Sequence, residues 1–153
     1  MRMRDDDYLL IVDDMRVICE LLTDVLTAEG FAVQASMSGE QAIDAIRART
    51  PALIIIDQVM PGKNGLQTLR EVQSLISGVP VIMISGYVEE KQDVIEARKQ
   101  GLIRHFISKP FDMRYLIQLV EAIIPLPPGS DERRAVYDKT PAGKDRMPAR
   151  GPK

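Results

Sequence analysis

The sequence predicts an α/β protein built on a five-stranded parallel sheet with helices on both faces. Two observations carry that expectation. Short apolar runs alternate five times with segments of helical period, and parallel strands need such crossover helices. The runs also end in polar residues, namely Asp13-Asp14, Asp57, Ser85 and, just past the fifth, Lys109. Right-handed crossovers on both faces make a doubly wound sheet, whose ligand crevice lies beyond the carboxyl ends of the strands.

The elements follow in order. Tyr8 to Val12 reads as a buried strand stopped by two aspartates. Val17, Ile18, Leu21, Leu22, Val25 and Leu26 form a helical stripe closed by Gly30. Phe31 to Ala35 reads as the second strand. Ser38 and Gln41 form a capping box ahead of a helix carrying Ala42, Ile43 and Ile46. After Pro51, Ala52 to Ile56 is the third strand, ending at Asp57. Pro61, Gly62 and Gly65 mark a loop before a helix with Leu66, Leu69, Val72, Leu75 and Ile76. Val81 to Ser85 is the fourth strand and 89–100 a charged helix. A short fifth strand at 106–108 precedes Lys109-Pro110, and Leu116, Ile117, Leu119, Val120 and Ile123 line the last helix.

Composition bounds the function class. The chain has 153 residues, 45% of them hydrophobic and 27% charged, which fits one soluble domain. No apolar run is long enough to span a bilayer, and no secretory leader is expected, so a cytoplasmic location without membrane contact is the expectation. One cysteine, Cys19, allows no internal disulfide, and with one histidine, His105, it makes a poor zinc set. Both read as structural residues. The net charge is −2, yet residues 131–153 carry seven basic and four acidic groups. The proline cluster at 125–130 marks the start of a flexible tail or linker (125–153), and the folded domain is expected over 1–124. Nothing in the tail resembles an output domain or a helix-turn-helix, so nucleic-acid binding is not expected.

Three carboxylates gathered at one rim repel one another, and a hard divalent cation relieves that repulsion. Taken singly, Asp14 reads as a helix cap, Ser85 as a turn residue and Lys109 as a surface charge. Their coincidence at separate strand ends points to a site. Asp57 can attack phosphorus as a carboxylate nucleophile. Lys109 and the Ser85 hydroxyl can each address a phosphoryl oxygen, and Gly86 keeps the neighbourhood open.

Asp13-Asp14, the run Asp57-Gln58-Val59-Met60-Pro61-Gly62-Lys63-Asn64-Gly65, Ser85-Gly86 and Phe106-Ile107-Ser108-Lys109-Pro110-Phe111 closely resemble the response-regulator receiver family over about residues 6–124. The resemblance implies a flavodoxin-like fold with strand order 2-1-3-4-5. It implies that Asp57 accepts a phosphoryl group from a sensor histidine kinase or histidine phosphotransfer protein. Mg2+ would be held by Asp14, Asp57 and the carbonyl of Val59, with Asp13 acting through water. It further implies that Ser85 and Phe106 switch, that the Lys109–Pro110 bond is cis, and that Val59 and Tyr87 tune dephosphorylation. Output would pass through the fourth helix, fifth strand and last helix to an unidentified protein target, with homodimerisation on that face as a further option. Phe106 lacks the hydroxyl that a tyrosine would report with.

The expectation is therefore a signalling switch, not an enzyme, acting as a stand-alone single-domain regulator. One alternative is a receiver piece of a larger regulator or hybrid kinase. Another is a haloacid dehalogenase-type phosphatase, but that chemistry needs an acid two residues after the nucleophile, where Val59 stands.

Overall fold

The computed structural model describes residues 6–86 and 92–125. Ten elements alternate through it: β1 (Leu9–Val12), α1 (Arg16–Ala28), β2 (Val33–Ser36), α2 (Gly39–Ala48), β3 (Leu53–Asp57), α3 (Gly65–Gln73), β4 (Val81–Ser85), α4 (Gln92–Lys99), β5 (His105–Ser108) and α5 (Met113–Ile123). The strands form one parallel sheet in the order β2-β1-β3-β4-β5. This is the flavodoxin-like arrangement expected.

The strand sequences explain their places. β1, β3 and β4 are buried along their whole length and occupy the middle of the sheet. β2 (VQAS) and β5 (HFIS) are mixed and only partly buried, as edge strands can be. Alternate residues of each strand point to opposite faces. Leu10, Val12, Ile54, Ile56, Val81 and Met83 pack beneath α2, α3 and α4. Leu9, Ile11, Leu53, Ile55, Ile82, Ile84 and Ile107 pack beneath α1 and α5.

Several boundaries differ from expectation. β2 begins at Val33, not Phe31; Phe31 is buried ahead of it, in the core under α1 and α5. α3 ends at Gln73, leaving Leu75 exposed. Of the apolar positions on α1, Cys19, Leu22 and Leu26 are buried, whereas Val17 and Leu21 are exposed at 63% and 47%. Ser38 caps α2 through the amide of Gln41, but the Gln41 side chain returns to the amide of Met37 instead of closing a box on Ser38. A reciprocal capping box stands at α3 instead, between Asn64 and Gln67. The expected start of the fourth helix at 89, and Tyr87, lie outside the described residues, as does the tail beyond 125.

Candidate functional site

The carboxyl rim gathers the charged residues that the sequence placed at strand ends. Asp13 follows β1, Asp57 closes β3, and oxygen atoms of Asp13, Asp14 and Asp57 lie within 4.8 Å of one another. Asp13 and Asp57 are buried, and Asp14 is half-buried. The Lys109 ammonium reaches into the group, 3.2 Å from Asp13 Oδ2 and 3.4 Å from Asp57 Oδ2. Three carboxylates against one ammonium leave an excess of negative charge in a small volume.

Each member is fixed by its surroundings. The Asp13 amide donates to the Ser36 carbonyl on the β2 side. Its Oδ1 accepts from the Met15 amide at 2.9 Å, and its carbonyl accepts from the Cys19 thiol at 3.2 Å. Asp14 does not cap α1: the N-cap is Met15, and no side chain caps that end. Asp57 Oδ1 accepts from the Val59 amide at 3.4 Å. The Lys109 amide donates to the Ser85 carbonyl at 2.7 Å, which ties the end of β5 to that of β4. Ser85 is buried at the end of β4, and the Lys109–Pro110 peptide is cis.

The electrostatics follow from this crowding. Burial raises the Asp57 carboxyl above its usual range and the Asp13 charge raises it further, against the pull of Lys109 and the Val59 amide. Burial opposes the charge on Lys109, but Asp13 and Asp57 outweigh it and hold its pKa above the ordinary lysine value. Burial and the Asp13 charge likewise push the Cys19 thiol up. Oxygen-only donors carrying surplus negative charge fit a hard divalent cation such as Mg2+.

The other expected residues are placed as follows. Val59, whose amide meets Asp57, is 44% exposed. Phe106 is half-buried against the core beneath α2, α3 and α4, with the Arg98 guanidinium carbon 6.0 Å from its ring centre. His105 is half-buried on the edge strand β5. Sequence reasoning passed over Gln58, whose side chain caps α3 through the Leu66 amide at 2.8 Å. No local motif signals that bond, because its partners are eight residues apart and belong to different elements.

Against this geometry, the model of the response regulator receiver domain matches residues 9–121. The chain belongs to that family. Sporulation initiation phosphotransferase F of Bacillus subtilis is 32% identical to it over 122 residues, spanning 79% of this chain and 96% of that protein. The DNA-binding response regulator MtrA of Mycolicibacterium paratuberculosis is 35% identical over 114 residues, 74% of this chain; the match spans about half of that relative (49%). Among solved structures, response regulator TrrA of Thermotoga maritima, in complex with Mg2+-BeF, superposes with a TM-score of 0.68. It is 25% identical and covers 76% of this chain and 98% of that one. The receiver domain here is thus of the CheY-like, two-component phosphorelay type, a class phosphorylated by histidine kinases. Among the described residues, no helix is long and apolar enough to cross a membrane.

Proposed function

We propose that this receiver accepts a phosphoryl group on Asp57 from a phosphohistidine of a sensor histidine kinase or a histidine phosphotransfer protein. The observation that carries the proposal is the meeting of Asp13, Asp14, Asp57 and Lys109 at the carboxyl rim. An Asp57 carboxylate oxygen attacks phosphorus, and the bond between phosphorus and the partner's imidazole nitrogen breaks. The imidazole, protonated on its other nitrogen, leaves as the neutral ring. Asp14, Asp57 and the Val59 carbonyl would hold Mg2+ directly, and Asp13 through water. Bound there, the cation neutralises charge on the phosphoryl oxygens.

Lys109 and the Ser85 hydroxyl take the remaining phosphoryl oxygens, and Ser85 with Phe106 relays the change to the face made by α4, β5 and α5. That face meets a protein target or a second copy of the chain. Val59 cannot orient an attacking water and, with Tyr87 as the second shield, supports a long-lived phosphoprotein. Residues 1–124 form the receiver and 125–153 a tail or linker, working as a stand-alone regulator; the near-complete span of the B. subtilis relative supports this. The MtrA relative supports a second reading, a receiver within a longer DNA-binding regulator, because the match spans only 49% of that protein.

Intact mass after incubation with acetyl phosphate and Mg2+ tests the central step. One phosphoryl adduct is expected on the native chain and none on Asp57→Asn. No adduct on either, or equal adducts on both, overturns the proposal.

A further inference from the structure

Gln58 follows the proposed phosphoacceptor and is held at three points. Its amide donates to the Ile84 carbonyl on β4 at 3.0 Å. Its carbonyl accepts from the Gly65 amide at 2.9 Å, and its side-chain Oε1 accepts from the Leu66 amide at 2.8 Å. These are the first two amides of α3, which have no partner inside the helix; Asn64 takes the third, from Gln67. A single residue beside the nucleophile therefore takes two of the free donors at the start of α3.

The fit between the helix start and β3 is close. A Cβ on Gly65 would stand 2.5 Å from the Asp57 carbonyl oxygen, 2.9 Å from Gln58 Cα and 3.0 Å from Gln58 Oε1. Only a residue without a side chain lets α3 dock on the nucleophile's own backbone. The loop over residues 59–64 is thus tied at both ends, at Gln58 and at the Asn64–Gln67 box. Within it, the Val59 amide points at Asp57 Oδ1.

We propose that Gln58 is a positioning residue, whose side-chain oxygen locks the β3–α3 loop so that Val59 addresses the Asp57 carboxylate and the cation beside it. The inference rests on reading Asp57 as a Mg2+-assisted phosphoacceptor. Without the Oε1 bond, the loop gains conformations in which the Val59 backbone leaves the carboxylate, and part of the binding free energy of the cation goes into restoring it.

The test compares Gln58→Met, which keeps length and loses the acceptor, with Gln58→Ala and Gln58→Glu, the last retaining an acceptor toward the helix N-terminus. Mg2+ affinity is measured by calorimetry on each full-length, unphosphorylated chain, alongside its melting temperature. Gln58→Met and Gln58→Ala are expected to bind Mg2+ about tenfold more weakly, the scale of outer-shell losses in metal sites. Gln58→Glu is expected to bind at least as tightly as the native chain. Native affinity in whichever of Gln58→Met and Gln58→Ala folds, even with a lowered melting temperature, reduces Gln58 to a helix cap and overturns the proposal. Affinity lost equally in Gln58→Glu overturns it as well. The parent reading fails separately, if the native chain takes no phosphoryl group.

Discussion

Asp57 is a carboxylate kept where its charge is disfavoured. Burial and the neighbouring Asp13 lift its pKa above the ordinary 3.8, and Lys109 offsets them only in part. The protonated form therefore favours the fold: that contribution is fully present below about pH 3.8 and is lost as pH rises through the raised folded value. Once ionised, and without metal, Asp57 destabilises its own domain. Asp57→Asn is expected to melt above the native chain in EDTA at pH 7, with the gap closing below pH 3.8, where the acid is protonated folded and unfolded alike. Equal or lower melting of Asp57→Asn at pH 7 would contradict this account. The site was legible at this scale because Asp13, Asp57, Ser85 and Lys109 each stand at or just past the end of an apolar run, where topology alone brings them together. Gln58 and the Cys19 thiol were not, since their bonds depend on how a helix start or a loop carbonyl is oriented.

At the scale of elements, the helices are unequally anchored. α5 buries Leu116 and Val120 and packs Met113, Ile117, Leu119 and Ile123 around them, whereas among the described residues α4 buries only Val94 and Ala97. Apolar burial stabilises at roughly 25 cal/mol per Å2, so among the described residues α4 is less strongly anchored than α5. It also carries Arg98, facing the Phe106 ring. Backbone amides of 96–99 are expected to exchange at least about tenfold faster than those of 117–123, and their rates should change on phosphorylation. Exchange in α4 as slow as in α5, or unmoved by phosphorylation, would remove it from the proposed output face. The sparse apolar content of 92–99 made this weakness visible in the sequence. The exposure of Val17 and Leu21 was not visible, because six apolar positions on α1 cover a wider arc than one sheet can bury. At 100° per residue, Val17 is turned about 140° from Leu22, which faces the core.

At the scale of the whole molecule, the described residues form two apolar cores, separated by a sheet one residue thick. Successive residues of β1 serve different cores: Leu9 and Ile11 lie beneath α1 and α5, Leu10 and Val12 beneath α2, α3 and α4. Neither core can lose its strands without opening the other, so the two faces must unfold together. The site depends on this, because Asp13 extends from β1 and Asp57 closes β3, strands that both faces share. Leu10→Ala and Leu116→Ala remove side chains from opposite cores, both fully buried. Each is expected to destabilise by about 2–5 kcal/mol, the range for a leucine truncated in a packed interior. Each should also leave a single calorimetric transition whose van't Hoff and calorimetric enthalpies agree. Two resolved transitions in either variant would show that the faces are separate folding units. One transition would show that the strands holding the aspartates and the helices on both faces fold as a single unit.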